Sequence, residues 1–297
     1  MHEIVVISGK GGTGKTSLTA ALASLAKNAV FCDADVDAAD LHLLLHPTIK
    51  NQHDFIGGSK ASIGLSACTQ CGLCRQMCRF EAISADFVVD HIACEGCGVC
   101  VDFCPEKAIG FDPQLCGQWF LSDTRFGSLV HARLGIAEEN SGKLVHLVRK
   151  EAAALAEEKE AELILTDGPP GIGCPVIAAI GGASLVLVVV EPTLSGRHDM
   201  ERVLDLADHF KVPARLLVNK YDLNIDMAEN LEKDAANRGV PSVGRIPFDP
   251  AFTQAMVQGQ IIFEHKNSDA RQQELRGIWA EILAALPEKK RRLRLVS

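Results

Sequence analysis

The chain has 297 residues, a length that allows one large α/β domain or two domains, each with a sizeable core. A formal net charge of −8 argues against a general nucleic-acid binder. The longest apolar runs, such as Leu185–Val190, are far too short to span a bilayer, and no secretory signal follows Met1. We therefore expect a cytoplasmic protein without membrane association or a specific nucleic-acid partner. The single basic run, residues 289–294, is most simply a solvated helix end, with membrane-surface or partner binding as the alternative.

Strands and helices alternate along most of the chain. Apolar periodicity predicts strands over 4–8, 29–33, 163–166, 185–190, 214–218 and 242–246, and helices over 15–26, 38–46, 148–159, 198–210 and 226–238, with two more at the C-terminus. This alternation is typical of a mostly parallel sheet with helices on both faces, so the predicted fold class is α/β. Residues 113–145 fit no pattern, and the sequence gives no role to their Trp119, Arg125, His131 or Arg133.

A glycine-rich loop joins the first predicted strand to the first helix. Its sequence matches the P-loop pattern G-x-x-x-x-G-K-[ST] in the strand–loop–helix context that the pattern requires. Glycines let backbone N–H groups turn toward phosphate oxygens, and the helix N-terminus adds a favourable dipole. Lys15 can neutralise the β- and γ-phosphates, while the Thr16 hydroxyl can bind Mg²⁺. We therefore predict that ATP or ADP binds here with Mg²⁺, at Gly9, Lys10, Gly11, Gly12, Thr13, Gly14, Lys15, Thr16 and Ser17.

The loop contains a second lysine, Lys10, near its start. The resulting sequence GKGGTGKT resembles the deviant Walker A motif of the MinD/Mrp/ParA family of P-loop ATPases, which includes the nitrogenase iron protein. The resemblance implies slow, dimer-dependent ATP hydrolysis in a homodimer that closes through the nucleotide face. It also implies that Lys10 reaches the phosphates of the partner subunit, so Lys10 and Lys15 are expected to be catalytic.

Polar residues at the ends of later strands extend this resemblance. It implies that Asp33 and Asp167 support Mg²⁺ and that Asp37 activates the attacking water. It further implies that Asn219 and Pro247 lie at the adenine. Their position after successive strands fits the edge at which α/β sheets bind ligands.

Eight of the eleven cysteines lie in two tight groups, and the second group repeats the first 26 residues later. Each has the spacing C-x₂-C-x₂-C-x₃-C of bacterial ferredoxins, in which three thiolates hold one [4Fe–4S] cluster and the fourth reaches the other. The predicted ligands are Cys68, Cys71, Cys74 and Cys104 for cluster 1, and Cys94, Cys97, Cys100 and Cys78 for cluster 2. Zinc is the alternative, but it leaves the three-cysteine rhythm unexplained.

These cysteines divide the chain. We predict a small α+β, ferredoxin-like module over residues 58–112, inserted into a P-loop ATPase domain that comprises residues 1–57 and 113–297. Cys174 lies outside the module, seven residues after Asp167, at the spacing where the nitrogenase iron protein carries a cluster ligand at its dimer interface. Because no second such cysteine is evident, structural packing and interfacial metal binding both remain open for Cys174.

Two functions are compatible with this combination. In the first, a nucleotide-driven switch is coupled to electron transfer through the two clusters to a redox or iron–sulfur partner protein. In the second, the chain is a regulatory, positioning or iron–sulfur assembly ATPase whose clusters are sensors, structural elements or cargo.

Overall fold

The computed structural model describes residues 1–135, 141–266 and 268–288, so the basic run 289–294 lies outside the described residues. The strands are β1 (His2–Ser8), β2 (Ala29–Asp33), β3 (Thr48–Ile63), β4 (Ile109–Asp123), β5 (Ser128–Leu134), β6 (Leu163–Pro170), β7 (Leu185–Val190), β8 (Ala214–Asn219) and β9 (Ser242–Ile246). The helices are α1 (Lys15–Leu25), α2 (Leu41–Leu45), α3 (Leu73–Met77), α4 (Val99–Asp102), α5 (Ser141–Glu158), α6 (Cys174–Ile180), α7 (Leu194–His209), α8 (Ile225–Asn237), α9 (Pro250–Val257) and α10 (Asp269–Ala284).

The nine strands that the structure describes form one sheet in the order β3-β4-β5-β2-β6-β1-β7-β8-β9. The seven strands from β5 to β9 in this order are parallel, and β4 and β3 add an antiparallel edge. Apolar side chains of α5, α6, α7 and α8 cover one face, and those of α1, α2 and α10 cover the other. The predicted α/β class, with a mostly parallel sheet between helical layers, is therefore confirmed.

Two predicted elements differ from the structure. The helix expected over 38–46 is only α2, because residues 38–40 turn instead: the Ala38 N–H donates to the Asp35 carbonyl. The N–H of Leu41, the first residue of α2, donates to the Asp33 carboxylate at 3.1 Å. Residues 113–145, which fitted no pattern, contain most of β4, all of β5 and the start of α5.

The antiparallel pair β3–β4 is longer than the sheet that it joins. Its register runs from Thr48 opposite Asp123 to Ile63 opposite Ile109, whereas β4 pairs with β5 only over 117–123. Residues 55–63 and 109–117 therefore form a two-stranded ribbon that extends from the sheet edge, and residues 64–108 lie at its far end. The predicted domain boundaries fall inside these two strands, and the division into domains stays a prediction.

Three side chains from the unassigned segment stabilise this edge. Trp119 stacks on His53 across the strand pair, with ring centroids 4.2 Å apart. Arg125, in the β4–β5 turn, forms a two-pronged ion pair with Glu264 and donates to the Leu44 carbonyl. His131 is buried and lies 3.0 Å from the Ser122 hydroxyl. In the part of the chain that the structure describes, no helix is long and apolar enough to cross a membrane.

Candidate nucleotide site and cysteine cavities

The phosphate loop connects β1 to α1 at the carboxyl edge of the sheet. Gly12 and Gly14 have positive φ angles of 81° and 86°, which a side chain would strain. Gly9 is needed for a different reason, because a Cβ added there would lie 2.1 Å from Cβ of Asp199. The loop thus depends on glycine both for its turn and for its close approach to α7.

Lys15 meets two carboxylates at the base of this loop. Its Nζ lies 2.9 Å from Asp167 Oδ1 and 3.3 Å from Asp35 Oδ2, and all three side chains are buried. The hydroxyls of Thr16 and Thr19 donate to the same Asp167 carboxylate at 2.7 and 2.9 Å. The structure therefore brings together the predicted Lys15, Thr16 and Asp167, and it adds two residues for which no role was predicted, Thr19 and Asp35.

The charges of this cluster shift one another. Burial, followed by repulsion from Asp167, raises the pKa of Asp33 well above its usual range. Burial also raises the pKa of Asp35, against the opposing attraction of Lys15. For Lys15 itself burial lowers the pKa, but Asp167 and Asp35 outweigh it and the net pKa is raised. Because Lys15 does not offset the burial and mutual repulsion of these carboxyls, a divalent cation here would favour their ionised forms.

The two predicted aspartates of segment 33–37 lie in different surroundings. Asp33 is fully buried and accepts hydrogen bonds from the N–H groups of Asp35 and Leu41 at 3.2 and 3.1 Å. Asp37 is exposed and is not among the residues that line the cavity over the phosphate loop. Asp33 therefore shapes the segment from beneath, whereas the predicted role of Asp37 stays a prediction.

A cavity of about 350 Å³ opens over the loop. It is lined by the predicted Gly11, Gly12, Thr13, Gly14, Lys15, Thr16, Ser17, Asn219 and Pro247, together with Phe248, Phe252 and Met256. Asn219 donates from Nδ2 to the Thr13 carbonyl at 2.7 Å, which fixes the loop to the end of β8. The apolar end beside Pro247 suits a flat base, and the glycine end suits phosphates.

Lys10 is not among the residues that line this cavity. Its Nζ lies 3.4 Å from Glu191 Oε2 and within hydrogen-bonding distance of the hydroxyls of Thr193 and Ser195. Glu191 also pairs with Lys220, whose Nζ donates to the Gly12 carbonyl at 3.1 Å. Glu191 thus bridges two lysines of the site. Residue spacing offered no signal for it, because it follows β7, far from the loop in sequence.

Residues 64–108 and the ribbon enclose two further cavities. Cavity I is lined by Cys68, Cys71, Cys74 and Cys104 with the apolar side chains Ile63, Phe87 and Ile109. Cavity II is lined by Cys78, Cys94, Cys97 and Cys100 with Ala61, Val89 and Phe111. Each cavity therefore collects three cysteines of one motif and the fourth of the other, which is the grouping predicted from the spacing.

Among the described residues, no group of three or more His, Cys, Asp or Glu side chains is placed to bind a single metal ion. A [4Fe–4S] cluster has four iron atoms, each bound by one thiolate, so its cysteine ligands need not converge on one point. Backbone N–H groups already point at two sulfurs, from Gln70 to Cys68 at 3.4 Å and from Ala108 to Cys104 at 3.3 Å. Each lining combines four sulfurs and mainly apolar side chains with a few oxygen-bearing ones, Thr69 and Glu106 in cavity I and Glu95 in cavity II. Four sulfurs favour a soft metal or an iron–sulfur cluster over a hard cation.

The ribbon sets the order of the two cavities. Cavity II adjoins Ala61 and Phe111, which pair across the strands, while cavity I adjoins Ile63 and Ile109, a pair two residues closer to the tip. The loop of cavity II also packs on β3, since a Cβ at Gly96 would lie 2.4 Å from the Ser59 carbonyl oxygen. Cavity II is therefore the nearer of the two to the sheet.

The remaining cysteines lie elsewhere. Cys32 is buried in β2, and burial raises the pKa of its thiol well above its usual range. Cys116 is buried at the root of the ribbon. Cys174 is exposed at the start of α6. The structure places none of them with either group of four.

A parallel sheet with this loop, a lysine–carboxylate–threonine cluster and a cavity at its carboxyl edge define a P-loop nucleotide-binding protein. Residues 4–262 match the CobQ/CobB/MinD/ParA nucleotide binding domain, and the chain belongs to that family. It is therefore a MinD/ParA-type P-loop protein.

Relatives and solved structures agree with this assignment. The chain is 36% identical over 225 residues to the uncharacterized protein MJ0578 of Methanocaldococcus jannaschii, covering 75% of this chain and 79% of that protein. It is 25% identical to the septum site-determining protein MinD of Synechocystis over 89% of this chain and 83% of that one. The fold is similar to MinD of Pyrococcus horikoshii complexed with Mg-ADP, with a TM-score of 0.59 at 18% identity over 96% of this chain and 97% of that chain.

Proposed function

We propose that the protein is an ATP-hydrolysing switch that binds two [4Fe–4S] clusters and couples its nucleotide state to electron transfer. The observation that carries this proposal is the pair of four-cysteine cavities at the end of a ribbon rooted in a P-loop sheet. The clusters would supply one-electron carriers, and this chain's thiolates and apolar side chains would hold them and limit water access. A redox or iron–sulfur protein would be the partner.

The nucleotide half rests on the cluster at Lys15. Phosphates bound in the loop would compete with Asp35 for the Lys15 ammonium, and Mg²⁺ would take oxygens of Thr16 and Asp167, with Asp33 behind them. Lys10 is held within its own subunit by Glu191, and its side chain is one-third exposed. Closure of a homodimer would transfer this lysine to the partner's phosphates and allow hydrolysis, with Asp37 beside the attacking water.

The cluster half is tested by iron content after anaerobic purification. The native chain should contain about eight iron atoms. The variants Cys71→Ala and Cys104→Ala should each lose about half of them, and the double variant should lose no more, because both side chains line cavity I. Combining Cys104→Ala with Cys97→Ala should remove nearly all the iron.

Control variants separate a ligand from a structural cysteine. Cys116→Ala removes a buried cysteine outside both cavities and should keep the full iron content, as should Cys174→Ser unless that side chain binds metal. Native protein without iron, or with one zinc ion per cavity, would contradict the cluster proposal.

A second function, regulation or positioning, is favoured by the similarity to septum site-determining MinD proteins over most of the chain. The two functions differ in one measurement. Coupled electron transfer requires that the ATPase rate depend on cluster oxidation state, or that cluster potentials depend on nucleotide. If neither depends on the other, the clusters are structural elements or cargo and the regulatory function is left.

A further inference from the structure

We infer that the root of the ribbon is a coupling joint, through which nucleotide binding repositions the two cysteine cavities relative to the sheet. We define the joint as Val36, Gly57, Cys116, Leu134 and Gly135. The inference rests on the proposed function, since it assumes a nucleotide in the loop and clusters in the cavities, and it names the route between them.

The first connection starts at segment 33–37. Asp35 bonds to Lys15, and the carbonyl of the next residue, Val36, accepts from the Leu134 N–H at 3.2 Å. One residue further along, the Gly135 N–H donates to the Cys116 carbonyl at 2.7 Å. The end of β5 is therefore bonded to the nucleotide-facing segment on one side and to the ribbon on the other.

A phosphate group at Lys15 would disturb this connection directly. It would compete for the ammonium that Asp35 now holds, and Asp35 is adjacent in the chain to Val36. Segment 33–37 is also tied to the second acidic strand end, because the Ala34 N–H donates to the Asp167 carbonyl at 2.8 Å. Both acidic segments would thus move the end of β5 together.

The second connection runs through the start of α5. Gly142 packs against Cys174, where an added Cβ would lie 3.3 Å from the cysteine Cβ. The next residue, Lys143, donates from Nζ to the Gly57 carbonyl of β3 at 3.3 Å. Because Cys174 follows the strand that bears Asp167, the second acidic segment also reaches the ribbon, although this contact is the weaker of the two.

Packing at the joint is tight enough to transmit a displacement. A Cβ at Gly57 would lie 2.5 Å from a ring carbon of Phe55, and one at Gly117 would lie 2.6 Å from the Arg133 carbonyl oxygen. Phe55 and Cys116 are buried in the same core as α5. Close-packed elements of this kind shift between discrete arrangements rather than deforming smoothly.

The test is amide hydrogen exchange of the intact iron–sulfur protein, with and without a non-hydrolysable ATP analogue and Mg²⁺. We expect the analogue to change exchange in the phosphate loop, residues 9–20, and in the ribbon, residues 55–63 and 109–117. Gly135→Pro removes the N–H that bonds to Cys116, so it should abolish the ribbon response and keep the loop response. Gly135→Ala retains the N–H and should behave like the native chain.

The outcomes separate this inference from the function on which it rests. If the analogue does not change amide exchange in the phosphate loop of the native chain, the nucleotide function and the joint are both overturned. If exchange changes in the loop but not in the ribbon, the joint alone is overturned. A full ribbon response in Gly135→Pro also overturns the joint alone. If Gly135→Pro does not fold, Lys143→Met replaces it: a weaker ribbon response than in Lys143→Arg supports the joint, and equal responses overturn it.

Discussion

The sheet and the segment at the end of the ribbon are stabilised in different ways. The sheet has two extensive apolar cores, one on each face, and its buried charges are bonded to one another, as at Lys15 and Asp167. The segment shares one small core of six buried side chains with the ribbon, which supplies Ala61 and Ile109. Cys74 is one of the six, and five more cysteines pack against them. A core this small seldom suffices alone, so the ligands of the cysteines would complete it.

This contrast concerns the order of folding and binding. A sheet that folds without nucleotide offers a preformed site, in which the ligand replaces existing bonds of Lys15. A segment that needs its metal folds when the metal binds, so binding and folding share one free energy. The first region can respond reversibly to a ligand, whereas the second is suited to hold its ligands permanently.

The largest expected effect follows from removing the proposed clusters. Oxidation and chelation should abolish protection from amide exchange across residues 64–108, because the thiolates lose the groups that join them. The sheet should keep its protection, since its cores contain none of the eight motif cysteines. Limited proteolysis offers an independent measurement. Equal protection of residues 64–108 before and after chelation would mean that the small core suffices.

The complementary change is made at the nucleotide site. Lys15→Met keeps the aliphatic part of the side chain but removes the charge that faces Asp167 and the phosphates. ATP hydrolysis should fall on the order of 100-fold or more, because the variant lacks a fixed cation at the transferring phosphoryl group. Iron content should stay at the native level. An exposed lysine, Lys150, provides the matched control, and Lys150→Met should hydrolyse ATP normally.

The sequence predicted the sheet better than the edge that carries the ribbon. Strands 29–33, 185–190 and 242–246 were predicted with the bounds that the structure shows, because apolar runs between turns are local signals. Strands β3, β4 and β5 were missed. Much of β3 and the ribbon part of β4 are exposed, so they lack the continuous apolar run that marks a buried strand.

The site residues also divide into those with a local sequence signal and those without one. The residues of the loop motif were predicted because they are consecutive, and the cysteine grouping was predicted because its spacing repeats. No role was predicted for Asp35, the second of the three aspartates in segment 33–37. It is nevertheless the side chain of Asp35, and not that of Asp37, that bonds to Lys15. Which carboxylate of such a run turns inward depends on tertiary contacts, here the bonds that Asp33 makes to Leu41 and to Asp35 itself.

Acid should affect the sheet through His131. Burial, with a smaller contribution from His42, lowers the pKa of His131 from 6.5 to about 4. Between these two pH values the unfolded chain therefore binds a proton that the folded chain does not bind. The free energy of unfolding decreases as the pH falls through this window. The shift corresponds to about 3 kcal/mol at pH 4. Denaturant unfolding against pH should show this loss, and His131→Gln should flatten it.

The control for this measurement is another histidine. His198 is 68% exposed in its side chain, and His198→Gln should leave the pH profile unchanged. An unchanged profile in His131→Gln as well would show that the acid sensitivity arises at other groups. Cluster absorbance, followed in the same samples, reports whether the ribbon end unfolds with the sheet or separately.

The smallest expected effect is a difference in stability between glycine variants of the two cysteine motifs. The motifs share a glycine position, but the surroundings of their glycines differ. Gly72 and Gly98 both have left-handed φ angles, and Gly96 adds a third whose counterpart in the first motif is Gln70. A Cβ at Gly72 meets nothing within 4 Å, whereas one at Gly96 would lie 2.4 Å from the Ser59 carbonyl oxygen. Gly72→Ala should therefore cost only backbone strain, about 1 kcal/mol.

Gly96→Ala adds a clash with the ribbon to the same strain and should cost about 1–3 kcal/mol more. Loss of cluster absorbance with denaturant measures both variants, and Gln70→Ala is the neutral reference because it already has a side chain at a φ of 57°. A larger cost at Gly96 than at Gly72 would show that the loop of cavity II is seated on the ribbon in solution. Equal costs would mean that this loop is as free as that of cavity I. The ribbon would then hold cavity II through Ala61, Phe111 and the hydrogen bond from Lys60 to the His91 carbonyl, and a displacement at its root would reach both proposed clusters more weakly.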